Sequence, residues 1–226
     1  MDTYKSHGVY RKVPIQEAYD TTGKKPIKVR WVIVNKGDKE NPEYRARLVA
    51  KEIKMDQRLD LFAATPPLEA KKMLFSLAVT EGTGFHGDRS RGMKIDFFDV
   101  RRAYFHAKCK RKVYVELPKE DAEEGMCGML DKSMYGTRDA AQNWEETYVE
   151  FMESLGFQRG KASPCVFHHS RKNLRAVIHG DDFTILGMEG DLDWFREQIQ
   201  GNFEVKFRGR LGPNKNDDKA VRILNR

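Results

Sequence analysis

Two groups of acidic residues in this chain sit where carboxylates are costly. Asp99 lies inside Phe97-Phe98-Asp99-Val100, and the doublet Asp181-Asp182 lies inside Val177-Ile178-His179-Gly180-Asp181-Asp182-Phe183. Both runs are short and apolar, the pattern of buried strands, and an ionised carboxylate there needs a cation or a donor to offset its lost hydration. Hard divalent ions take oxygen ligands, and two of them can clamp the attacking and leaving oxygens of an in-line phosphoryl transfer. Strand-end or turn carboxylates with no chemical role would look the same, so the two runs alone leave both readings open. Asp96 lies three residues before Asp99, which puts it on the opposite strand face and marks it as structural.

The elements that must position these residues follow from periodicity and punctuation. The first 25 residues are polar and end in the turn-like Thr21-Thr22-Gly23-Lys24-Lys25-Pro26, so they are expected to be a peripheral lead-in. Val29 to Val34 and Tyr44 to Lys51 form a hairpin across Lys36-Gly37-Asp38 and Asn41-Pro42. Period two places Tyr44, Ala46, Leu48 and Ala50 on one face and Arg45, Arg47, Val49 and Lys51 on the other, so the basic face points at one polyanion. Helical spacing of Ala70, Met73, Leu74, Leu77 and Ala78 predicts a helix over 67–80, with Thr65 as N-cap and Pro66 at its first position. A glycine-rich loop precedes the strand Met93 to Val100, and another strand surrounds Val113 to Leu117. Asp139-Ala140-Ala141-Gln142 has capping-box spacing, and Ala141, Trp144, Tyr148, Phe151, Met152 and Leu155 trace one helical face to a stop at Gly156. Two strands, 175–178 and 183–186, flank His179-Gly180-Asp181-Asp182 as a tight turn, and a helix from Leu192 through Ile199 stops at Gly201. This order predicts an α+β fold with a sheet backed by helices.

Composition narrows the partners. The net charge is +7, from 41 basic and 34 acidic residues, and it is unevenly spread. Six basic residues and no acid lie between Arg101 and Lys112, and seven basic against three acidic lie from Phe203 to Arg226. A polyanion such as nucleic acid fits that distribution through counterion release, and a solvated basic face is the alternative. Cys109, Cys127 and Cys165 are too few and too scattered for a disulfide framework or a zinc knuckle, which points to a reducing compartment. No apolar stretch approaches the roughly 20 residues of a membrane span, and the amino terminus lacks a signal-peptide core. The expected location is intracellular, cytoplasmic or nuclear, with no membrane partner.

Ordered blocks then point to a family. Asp99-Val100-Arg101-Arg102-Ala103-Tyr104-Phe105 resembles the Asp-Val-x-x-Ala-Tyr/Phe-Phe block of reverse transcriptases, and His179-Gly180-Asp181-Asp182 stands at their Tyr-x-Asp-Asp turn. Tyr44 to Lys51, Val113 to Pro118, Ser133-Met134-Tyr135-Gly136 with Trp144, and Leu155-Gly156-Phe157 followed by Ser163 to Phe167 resemble blocks of the copia-type LTR retrotransposon branch, in the same order. Together they run from Pro26 to Gly187. The resemblance implies an RNA-directed DNA polymerase built of fingers and palm, with a ferredoxin-like antiparallel palm sheet, and with the thumb missing. Its domain would cover 26–226, with fingers at about 26–92, palm at about 93–212 and an incomplete tail.

The same resemblance implies site roles. Asp99 and Asp181 would bind two Mg²⁺ ions, for which Mn²⁺ can substitute, with Asp182 in support and the Val100 carbonyl as a further ligand. Arg45, Arg47 and Lys51 would contact the triphosphate, and Tyr104 would pack under the sugar and select deoxynucleotides. His179, Gly180, Asp139 and Gln142 would lie near template and primer. Here the chain departs from the family, with His-Gly for Tyr-Val, and Asp139, Ala141 and Gln142 for Gln, Pro and Arg. Implied partners are an RNA template, a DNA primer, deoxynucleoside triphosphates and a longer Pol polyprotein with ribonuclease H and integrase. The departures keep open a second reading, a decayed or co-opted domain that binds nucleic acid without catalysis.

Overall fold

The computed structural model describes residues 2–53 and 63–222. Met1, residues 54–62 of the expected fingers range and residues 223–226 of the expected tail lie outside the described residues. Along the chain run α1 (Asp2–Ser6), β1 (Tyr10–Pro14), α2 (Ile15–Thr22), β2 (Val29–Asn35), β3 (Tyr44–Ala50), α3 (Leu68–Val79), β4 (Lys94–Val100), α4 (Ala103–His106), β5 (Tyr114–Val115), β6 (Met126–Leu130), α5 (Ala140–Ser154), β7 (Gln158–Arg159), β8 (Val166–His169), β9 (Leu174–His179), β10 (Asp182–Gly187), α6 (Glu189–Asn202) and β11 (Val205–Leu211). Helices mixed with antiparallel sheets make the α+β class expected from the sequence. The chain divides into two units, Met1–Ala63 with Tyr104–Thr147, and Ala64–Ala103 with Tyr148–Arg226. No helix among the described residues is long and apolar enough to cross a membrane.

The first unit holds a three-stranded sheet, β1-β6-β5, and the β2–β3 hairpin. Residues 1–25, expected to be a peripheral lead-in, are instead built into it. β1 pairs with β6 from Tyr10↔Leu130 to Pro14↔Met126, Tyr4 and Val9 are buried in the core with Leu48 and Phe105, and the Tyr4 hydroxyl donates to the Leu48 carbonyl at 2.7 Å. Their polar composition hid this because a five-residue strand gains its place only through a partner more than a hundred residues away. The hairpin forms as expected, with Val29↔Ala50 at its base and Asn35↔Tyr44 at its tip.

The second unit carries the six-stranded sheet β11-β4-β10-β9-β8-β7. Strand alternation sorts β4 into two faces. Ile95 and Phe97 pack with Ala70 and Leu74 of α3, Val177 and Leu186, whereas Phe98 meets Phe195 of α6 with ring centroids 5.8 Å apart. The second half of α5 covers this latter face too, through Tyr148 against Phe183 at 6.0 Å and Phe151 against Phe195 at 6.4 Å. α5 ends where expected, with Gly156 at φ 94° and Phe157 N donating to the Met152 carbonyl.

Two helices differ from expectation. α3 begins at Leu68 after an extended Pro67, and no side chain caps it. The second of two consecutive prolines forces Pro66 out of helical geometry, so Thr65 cannot serve as N-cap. Its buried face is Ala70, Lys71 and Leu74, while Met73 is exposed. α6 extends from Glu189 through Gly201 to Asn202, because burial of Leu192, Phe195 and Ile199 outweighs the roughly 1 kcal/mol cost of a helical glycine.

Asp96 is fully buried on the α6 face of β4, as its parity with Asp99 requires. Arg210 grips it with two bonds, 2.6 and 2.8 Å, and Arg196 adds a third at 3.3 Å. Removing one partner of a buried pair strands the other charge. Asp96→Ala is expected to lose about 3 kcal/mol of stability in urea denaturation, whereas removing the exposed Arg210 partner Asp193 should cost under about 1 kcal/mol. Equal losses from the two variants would refute this division.

Candidate active site

The carboxylates meet at one end of the six-stranded sheet. β10 runs antiparallel to β4 in a register that sets Asp182 opposite Asp99, and β9 sets His179 opposite Asp182. Directly opposed residues share a face, with Cα atoms about 4.5–5.5 Å apart. Asp99, Asp182 and His179 therefore form a row, and it lies on the face covered by α3, two residues along each strand from Phe97, Thr184 and Val177. Gly180 and Asp181 form a two-residue hairpin loop. Gly180 has φ 62°, which suits the first position of such a turn, and the Asp181 carbonyl accepts from Val100 N at 2.8 Å. The strand pairing thus places Asp182 across from Asp99, where Asp181 was expected, and leaves Asp181 in the exposed loop.

Two cations that the sequence reading did not assign to the site attend this row. Arg208 comes from β11, where the register slips between Phe207↔Phe98 and Gly209↔Phe97, and its Nη2 donates to Asp99 Oδ2 in a close ion pair. Lys71 comes from the first turn of α3 and is only 3% exposed; its Nζ is buried without a hydrogen-bond partner. A signal for Lys71 existed. Reading the helix face as 70, 71, 74 and 78 rather than through Met73 puts a lysine on the apolar side, where it needs an anion. Arg208 left no signal, since a bulge cannot be seen in strand alternation.

The charges shift one another. Burial raises the Asp182 carboxyl above its ordinary range, the Asp181 and Asp99 carboxylates push it further up, and Lys71 and Arg208 pull it back. Burial lowers Lys71, and Asp182 opposes that. His179 is lowered by burial and by Lys71, which favours a neutral ring. Arg208 is raised, first by its bond to Asp99 and also by Asp182 and Asp181.

Three carboxylates and the Val100 carbonyl are donors of the kind a hard divalent cation takes. In the side-chain arrangement seen, no three His, Cys, Asp or Glu groups among the described residues converge tightly enough to hold an ion. The Arg208 guanidinium already holds the Asp99 carboxylate, so the set fits a metal in kind but is engaged by a side chain.

The remaining expected site residues lie in the first unit. Arg45 pairs with Glu43 at 3.2 Å, the Arg47 guanidinium lies 5.7 Å from the Tyr135 ring centroid, and Lys51 N donates to the Lys28 carbonyl at 2.8 Å. Tyr104 packs on Tyr135 with centroids 4.7 Å apart. Asp139 is buried and accepts from Arg111 at 2.9 Å and from Asn143 at 3.2 Å, which holds its carboxyl below the ordinary range despite burial. Arg111 also binds Glu52 at 2.5 Å, and Gln142 is half-buried on α5.

Because the folded chain binds the Asp182 proton more tightly than the unfolded chain does, ionised Asp182 weakens the fold at neutral pH. That penalty fades as pH falls through the raised folded-state value toward the ordinary carboxylate value. Asp182→Asn is therefore expected to raise the melting temperature at about pH 7, with the gain shrinking toward about pH 4. A lower melting temperature at neutral pH would show that Lys71 and Arg208 more than compensate the charge.

Comparison with known proteins agrees with the site. Residues 17–213 match the family described as Reverse transcriptase (RNA-dependent DNA polymerase). The chain is 26% identical over 225 residues to the Retrovirus-related Pol polyprotein from transposon TNT 1-94 of Nicotiana tabacum, covering 94% of this chain and 16% of that protein. It is 24% identical over 149 residues to the Transposon Ty1-BL Gag-Pol polyprotein of Saccharomyces cerevisiae, covering 65% of this chain and 8% of that protein. The chain thus spans less than a fifth of these relatives. Apo telomerase of Candida tropicalis, truncated from its C-terminal domain, overlays with a TM-score of 0.44 at 6% identity, covering 97% of this chain and 55% of that one, too loose a likeness to carry an argument. The match across most of its length shows that this chain belongs to the reverse transcriptase family, as a domain of the copia-type retrotransposon branch.

Proposed function

We propose that this domain is an RNA-directed DNA polymerase that extends a DNA primer on an RNA template within a longer Pol polyprotein. The observation that carries the reading is the register that brings Asp99 and Asp182 face to face beside the Asp181 turn, in a chain of this family. Asp99, Asp181 and Asp182, with the Val100 carbonyl, are the groups that would hold two Mg²⁺ ions, or Mn²⁺ in their place. Bound there, the ions supply Lewis acidity to the primer hydroxyl and the transferred phosphate.

The chain's own residues do the rest. The six-stranded sheet fixes the carboxylates on a rigid support, and Lys71 keeps a positive charge beneath Asp182. A neutral His179 in the row adds no charge to repel a cation. In the proposed assignment the first unit supplies the fingers, with Arg45, Arg47 and Lys51 for the triphosphate and Tyr104 for the sugar, and the second unit supplies the palm. Asp139 and Gln142 fall near template and primer. Ribonuclease H and integrase would be neighbouring parts of the same polyprotein.

The second reading, nucleic-acid binding without catalysis, is favoured by one observation, the guanidinium already paired with Asp99. Primer extension on an RNA template, by this chain alone and in its polyprotein context, separates the two. Incorporation should require a divalent cation and should fall at least about a hundredfold in Asp99→Asn, as losing an electrostatic group acting on a transition state costs roughly 2.7–4 kcal/mol. If wild type and Asp99→Asn incorporate equally while salt-sensitive RNA binding persists, the polymerase reading is lost and the binding reading stands.

A further inference from the structure

We propose that Arg208 is an internal counter-cation that occupies the Asp99 carboxylate until a divalent ion displaces it, so that metal entry and guanidinium withdrawal are one exchange. The inference rests on the reading of Asp99, Asp181 and Asp182 as the metal-bearing site.

The bulge is what brings Arg208 there. Lys206 lies opposite Asp99 and Phe207 opposite Phe98, but it is Gly209 that stands opposite Phe97, which leaves Arg208 as the extra residue of β11. Bulges re-aim side chains in this way. The slip is held in place by Gly209, whose φ is 148° and where an added Cβ would come within 2.4 Å of Asp218 Oδ2. Downstream of it, Arg210 and Leu211 return to regular pairing with Asp96 and Ile95. A β11 without the extra residue would set position 208 opposite Phe97, away from the Asp99 carboxylate.

The two cations of the site are not equivalent. Lys71 Nζ is fully buried in the α3 layer and cannot leave without unpacking the helix. Arg208 is 40% exposed on its side chain and Asp99 is 23% exposed, so that pair sits at the solvent boundary, where ion pairs are weak and exchange readily. In formal charge, three carboxylates with Lys71 fixed leave two net negative charges, and Arg208 reduces this to one. The site is therefore better matched to a divalent cation with Arg208 withdrawn than with it in place. A guanidinium serves this purpose because its long arm can swing into solvent and return.

Titration of the whole chain with Mn²⁺ alone, followed by the loss of the free-ion electron paramagnetic resonance signal, tests the exchange. Asp99→Asn should lose the site. Arg208→Gln should bind Mn²⁺ about three- to fivefold more tightly than wild type with unchanged stoichiometry, the range set by a partly exposed ion pair, and Arg208→Lys should lie between them. Far-ultraviolet circular dichroism verifies that each variant folds. If Arg208→Gln binds Mn²⁺ as wild type does, or more weakly, while Asp99→Asn loses it, the exchange is overturned and the metal-site reading survives. If neither wild type nor Arg208→Gln binds Mn²⁺ in a way that depends on Asp99, both are overturned.

Discussion

Carboxylates gathered at the end of a sheet repel one another and lose hydration, and that repulsion sets the terms for everything around them. Asp99, Asp181 and Asp182 come together because β4 and β10 pair in one register, and a slip of one residue would turn Asp99 or Asp182 to the opposite face. The packing that enforces this register is apolar. Phe97 and Leu186 are buried under α3 on one side of the sheet, and Phe98 and Phe183 under α5 and α6 on the other, so neither strand can shift without exposing large rings. Hydrophobic burial thus holds in place an electrostatic arrangement that would otherwise fly apart.

Strand β4 resolves two charge problems by alternation. Asp96 points to the α6 face and is neutralised permanently by Arg210 and Arg196, with Arg196 also lying 3.6 Å from the Phe207 ring centroid. Asp99 points to the α3 face and is met by a half-exposed guanidinium from a bulge. The first pairing is sealed and structural, and the second opens to solvent. Lys94 belongs to the sealed class, buried between Glu189 and Asp217 at 2.8 and 2.9 Å. Three acid–base groupings on one strand therefore have different accessibilities, and only the accessible one can exchange its partner.

Much of this was legible in the residues. Alternation identified β4, the β2–β3 hairpin and the β9–β10 turn, because each carries its own apolar period and its own turn residues. Asp96 was assigned to the structural face by parity alone. What could not be read depends on distant partners. β1 is held by β6, which itself has no strong strand pattern, and the Glu52–Arg111–Asp139 cluster draws on three separate segments of the chain. Lys71 was obscured by choosing Met73 for the helix face, and Arg208 by a bulge that breaks strand periodicity. The start of α3 was misplaced by two residues because tandem prolines act on the residue before them.

The central claim is that the divalent-cation site of this chain is the Asp99–Asp181–Asp182 end of the six-stranded sheet. Iron-localised backbone cleavage tests it directly, since Fe²⁺ taken up in place of Mg²⁺ generates hydroxyl radicals that cut only the chain nearest the ion. Cuts are expected beside Asp99 and in the Gly180–Asp182 turn, competed away by excess Mg²⁺. Cleavage confined to the Asp96, Glu189 and Asp193 side of the sheet, or cleavage indifferent to Asp99→Asn, would contradict the assignment.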